Sequence, residues 1–143
     1  MKLDELQVYQ LSMELGEKIW KIVMKWDYFA KDTVGKQLVR AVDSIAANLS
    51  EGYGRYHYKE SRHFGYYSRG SLFETKTWIT KAHNRGMTND VDFGEIIKSV
   101  DIIGVKINNY INSIGRGSNN KVSENESSYL SEINSNDNET NDD

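Results

Sequence analysis

Phe93-Gly94-Glu95-Ile96-Ile97-Lys98-Ser99-Val100-Asp101-Ile102-Ile103-Gly104-Val105-Lys106-Ile107 decides the fold class. Phe93, Ile96, Ile97, Val100, Ile103 and Ile107 recur at steps of three and four, and Ile111 and Ile114 extend the series. That spacing puts them on one face of an amphipathic helix. Asn89 or Asp90 can accept the free N–H groups at its start, and Gly115 and Gly117 mark its end.

Upstream, residues 58–85 read as a third helix. Phe64, Ser68, Ser71, Leu72, Thr75, Trp78, Ile79 and Ala82 share a face, and Gly86 is the stop. The mixture of large and small side chains on that face allows another helix to come close. The second helix carries Leu38, Val42, Ile45 and Leu49 on one stripe. Asp32 or Thr33 is its expected N-cap, and Gly52 and Gly54 are its expected left-handed stop. The first helix spans about residues 4–27, with Leu11, Leu15, Ile19, Ile22 and Trp26 on one face and Glu14, Glu17, Lys18, Lys21 and Lys25 on the other. Residues 27–32 form the expected first connection. Four such helices with short connections predict an all-α, antiparallel up-down four-helix bundle over residues 1–115.

Composition agrees with that reading. The 143 residues include no proline, which helix interiors reject, and no cysteine, which removes disulfides and thiolate chemistry. No apolar run is long enough for a membrane span, and no secretory signal is visible, so the expected location is cytoplasmic. The net charge of −3 sums two unlike parts. Residues 116–143 carry Arg116 and Lys121 against seven acids, a net of −5, which leaves +2 on residues 1–115. The few apolar residues after Arg116, namely Val122, Tyr129, Leu130 and Ile133, are too sparse to offset ordering entropy, so a disordered acidic tail is expected there.

Catalytic motifs are absent. His57, His63 and His83 lie in no nucleophile arrangement, and Glu51-Gly52-Tyr53-Gly54-Arg55 is not a phosphate loop. Glu60-Ser61-Arg62-His63 is a lone Glu-x-x-His, where a di-iron bundle needs two. No enzyme activity, metal or cofactor is expected.

The informative segment runs from residue 53 to residue 83. Arg55, Lys59, Arg62 and Arg69 interleave with Tyr53, Tyr56, Tyr58, Phe64, Tyr66 and Tyr67, and residues 55–85 hold seven bases against Glu60 and Glu74. Arg62, Arg69, Lys76 and His83 are spaced seven apart, a drift of only about 20° per step, and form one ridge roughly 31 Å long. An outward cationic ridge with aromatics suits a nucleic-acid backbone, with Arg55, Lys59, Arg62, Arg69 and Lys76 on phosphates and Tyr56, Tyr58 and Tyr66 stacking on bases. The competing reading is a solvated helix face whose tyrosines are buried in a subunit or partner interface. Arg40, Ser44, Asn48, Glu51 and Arg55 form a separate polar side of the second helix.

Ser44-Ile45-Ala46-Ala47-Asn48-Leu49-Ser50-Glu51-Gly52-Tyr53-Gly54-Arg55 resembles the signature of the four-helix-bundle family first noted in intervening sequences of bacterial large-subunit ribosomal RNA genes. Leu6-Gln7-Val8-Tyr9-Gln10, Lys59-Glu60, Phe64 and Gly70-Ser71-Leu72-Phe73-Glu74 fit the same family, so the resemblance covers about residues 3–114. Ala46 stands where the family often has proline, and Arg69 where it often has alanine. The resemblance implies a ring-like homopentamer. The family also includes the accessory variability protein of diversity-generating retroelements, which binds nucleic acid through a basic surface and associates with a reverse transcriptase. By that resemblance the expected partners are RNA or RNA/DNA, a reverse transcriptase, and further copies of the chain.

Overall fold

The computed structural model describes residues 2–115. Four helices dominate. A 3-10 turn, Leu3–Glu5, leads into α1 (Gln7–Val23). One α-helical turn, Tyr28–Ala30, and a π-helical stretch, Lys31–Gly35, run directly into α2 (Lys36–Tyr53). After a short corner come α3 (Tyr58–Asn84) and α4 (Asp90–Ser113). α1 packs on α2 and α4, and α3 packs on the same two, which closes an antiparallel bundle.

The first corner is shorter and earlier than the sequence suggests. Asp27, rather than Asp32 or Thr33, is the N-cap: its carboxylate accepts the Ala30 N–H at 2.9 Å. Thr33 lies inside the helix and donates its hydroxyl to the Phe29 carbonyl at 2.7 Å. The π-helical stretch brings Gly35 against α1, where a Cβ would stand 2.7 Å from Val23 Cγ1.

Other ends follow expectation. Asn89 Oδ1 accepts the Asp92 N–H at 2.7 Å and caps α4. Gly86, at φ +72°, ends α3 while the Met87 N–H reaches back to the Ala82 carbonyl, a Schellman closure that a residue with a Cβ would strain. Trp26 Nε1 donates to the Met87 carbonyl at 3.0 Å, so the α1–α2 and α3–α4 corners meet at one end of the bundle. The α2–α3 corner and the end of α4 lie at the other, where Gly115 (φ +89°) sits against Tyr58.

Gly52 and Gly54 do not act as expected. Gly54 takes right-handed angles, φ −80° and ψ −2°. Gly52 is buried within α2, where a Cβ would stand 2.7 Å from Phe64 Cβ and 3.0 Å from the Ser61 carbonyl oxygen. Its lack of a side chain serves close helix contact rather than a left-handed turn.

The core is aliphatic: Ile19, Leu38, Ile45, Ile79, Ile96 and Ile107 are fully buried. Small polar residues of α3 hold it to α2. Ser61 donates to the Gly52 carbonyl and Ser68 to the Ile45 carbonyl, both at 2.8 Å and buried.

At the α1–α2 contact a Cβ on Gly16 would stand 3.0 Å from Asp43 Oδ1. Burial first, and the Glu17 carboxylate second, push the Asp43 carboxyl above the usual range. The folded chain therefore holds this proton more tightly than the unfolded chain. The ionisation penalty is absent below the unfolded value of about 3.9, grows as pH rises from there through the folded value, and is complete above it. Thermal melts of Asp43→Asn should show a higher midpoint than the parent at pH 7 and no gain at about pH 3, with a small effect because water screens this partly open site.

Candidate nucleic-acid interface

The seven-residue ridge on α3 is real in spacing but points elsewhere. Arg62 is 3% exposed, and its Nη1 donates to the Ile111 carbonyl of α4 at 2.9 Å. Arg69 donates to Asn108 Oδ1 at 3.1 Å, and Lys76 Nζ lies 3.8 Å from Asp101. His83 stacks on Phe93 at 4.1 Å and sets Nε2 3.1 Å from Asp90. As the α3 number rises the α4 partner falls, as an antiparallel pair requires. A period near 3.5 keeps one stripe facing a neighbouring helix. The ridge is thus the α3–α4 contact line, and the expectation that Arg62 projects into water is corrected.

Arg62 fits its burial. Ile111 lies in the last turn of α4, where its carbonyl accepts only a long bond of 3.3 Å from the Ile114 N–H at the cap and has room for a second donor, and a guanidinium there also opposes the negative end of the helix dipole. Gly65, one turn along α3, lets Ile111 approach: a Cβ would stand 2.7 Å from Ile111 Cγ1.

The other predicted contacts divide between the α2–α3 corner and the margin of the α3–α4 line. At the corner, Tyr56 is 91% exposed and meets His57 edge-on, while Tyr58 and Lys59 are exposed beside it. Arg55 pairs with Glu51 and lies 5.0 Å over the Phe64 ring. Along the margin, Arg69 lies 4.9 Å over the half-buried Tyr66 ring, and Lys76 keeps its side chain about half open.

The polar side of α2 bonds mainly to itself. Ser44 Oγ donates to the Arg40 carbonyl at 2.7 Å and Asn48 Nδ2 to the Ser44 carbonyl at 2.9 Å. Ser71 offers its carbonyl to Thr75, and the exposed Glu74 accepts from Trp78 Nε1 at 3.3 Å. No group of three His, Asp or Glu residues could hold a metal ion among the described residues.

Sequence reasoning missed the exposed apolar groups. Phe73 projects from α3, and Trp20, Met24, Tyr28 and Phe29 are exposed along the end of α1 and the turn that follows it, the last two 81% and 78%. Exposure of residues 28 and 29 follows from the early Asp27 cap, a local signal legible in Asp27 itself.

The fold is an all-helical bundle whose α2–α3 corner exposes Arg55, Lys59, Tyr56 and Tyr58 together. The family profile described as 23S rRNA-intervening sequence protein matches residues 4–109, and the chain belongs to that family. Among solved structures, a protein with unknown function from the S23 ribosomal protein family of Bacteroides thetaiotaomicron superposes with a TM-score of 0.66 at 17% identity. The match covers 73% of this chain and 97% of that one, and at this identity it shows the shared fold. A search of curated proteins finds no match. Neither description names an enzyme. No described helix is long and apolar enough to cross a membrane.

Proposed function

We propose that the protein is a non-enzymatic, oligomeric nucleic-acid-binding accessory protein that takes structured RNA, alone or in a complex with a reverse transcriptase. One observation carries this reading: the α2–α3 corner holds Arg55, Lys59, Tyr56 and Tyr58 at the surface together. Bases there displace counterions from phosphates and the open tyrosine faces stack on unpaired bases. Arg69 and Lys76 extend the contact along α3, and Arg62 braces the corner from inside. In a homo-oligomer, a pentamer on the family resemblance, the modest charge of each copy multiplies through avidity.

Filter binding of the full chain to structured RNA across a salt series tests it. Affinity should fall steeply with salt, and the pair Lys59→Glu with Arg69→Glu should weaken binding about tenfold or more and flatten the salt slope by about one unit per lost contact. Binding absent or indifferent to salt overturns the reading.

Exposure of Tyr56, Tyr67 and Phe73 favours a second reading, a protein-interaction scaffold whose Tyr-rich segment is a subunit or partner interface. The same charge reversals then dissociate the oligomer in sedimentation and leave no RNA effect.

A further inference from the structure

The chain leaves α4 beside the candidate anion site. α4 ends at the same end of the bundle as the α2–α3 corner: Arg62 holds the Ile111 carbonyl, and Gly115 lies against Tyr58, where a Cβ would come within 3.4 Å of the ring. The chain that continues from Gly115 is acidic. Past Lys121 it holds no base and seven acids, Glu124, Glu126, Glu132, Asp137, Glu139, Asp142 and Asp143. Over residues 51–69 the bases at the surface are Arg55, Lys59 and Arg69 against Glu51 and Glu60, a net of +1, with Arg62 buried beneath them.

We propose that the acidic C-terminal segment, residues 116–143, docks in cis on the α2–α3 corner and the adjoining α3 surface, and so competes with nucleic acid for that site.

Reach permits it. Glu124 is nine residues beyond Gly115, an extended span of about 30 Å, and the whole segment spans up to about 95 Å against about 40 Å for α3. Tethering holds the acids near the corner at an effective concentration of order millimolar, enough for a weak electrostatic contact to be occupied. Tyr129, Leu130 and Ile133 supply apolar groups that can lie on Tyr56 and Tyr58. The carboxylates stand in for phosphates and the tyrosine for a base. The competitive role rests on the nucleic-acid reading; the docking itself does not.

The absence of cysteine makes a single introduced thiol unique in the full chain. A nitroxide on Ser127→Cys should broaden the backbone amide signals of residues 55–69 selectively. The broadening should disappear at about 1 M salt, where the screening length falls to about 3 Å. It should also disappear when the seven tail acids are converted to Gln and Asn, and that variant should bind structured RNA about tenfold more tightly than the parent. Broadening absent from the corner, or equal in the neutralised variant, overturns the docking. Broadening at the corner in a chain that binds no RNA supports the docking and rejects the nucleic-acid reading. Equal RNA affinity of both proteins without broadening does the reverse.

Discussion

Replacing Arg62 with alanine lowers the stability of the folded chain by about 2–3 kcal/mol and leaves the RNA affinity of the folded protein unchanged. The magnitude follows from its position: the Ile111 carbonyl loses a buried charged donor, worth about 1–3 kcal/mol, and the aliphatic stem leaves a gap between α3 and α4. Arg62→Met refills much of that gap without restoring the donor, so it should recover part of the loss. Chemical denaturation of parent and both variants, read beside filter binding, checks the result. Unchanged stability with lost RNA binding would return Arg62 to the ligand and refute its role as a brace.

Gly65→Ala and Gly70→Ala should change stability in opposite directions, although both lie within α3. Alanine normally improves a helix interior over glycine by about 0.5–1 kcal/mol. At Gly70 nothing stands within 4 Å of the new Cβ, so the gain should appear in full. At Gly65 the Cβ meets Ile111 Cγ1 at 2.7 Å, and the crowding, typically 1–3 kcal/mol, should outweigh the helix gain. A net loss of about 1–2 kcal/mol is expected, again from denaturation midpoints. A gain at Gly65 would mean that α3 and α4 stand farther apart than described.

Much of the fold was legible because the stripes are strong. Ile96, Val100, Ile103, Ile107 and Ile111 lie buried on the predicted face of α4, and Leu38, Val42, Ile45 and Leu49 on that of α2. The stops at Gly86 and the Asn89 cap are local chemistry and were read correctly. The expected cap at Asp32 or Thr33 failed because two residues with capping side chains lay inside a helix that Asp27 had already started. Gly52 was misread because a glycine needed for close contact and one needed for a left-handed turn look alike in sequence. The tail, residues 116–143, lies outside the described residues.

Periodicity along one chain determined four helices, their buried stripes and the seven-residue basic series, since these depend on the 3.6-residue turn and on side-chain type alone. Which way that series points was decided only by tertiary structure. A stripe of bases set beside an apolar face can meet water or a neighbouring helix. The Ile111 carbonyl at the end of α4 and the gap left by Gly65 draw Arg62 inward, while Asn108 and the Asp101 carboxylate turn Arg69 and Lys76 toward α4 at the margin. Those partners lie 25 to 49 residues away in the chain, beyond the reach of any local pattern.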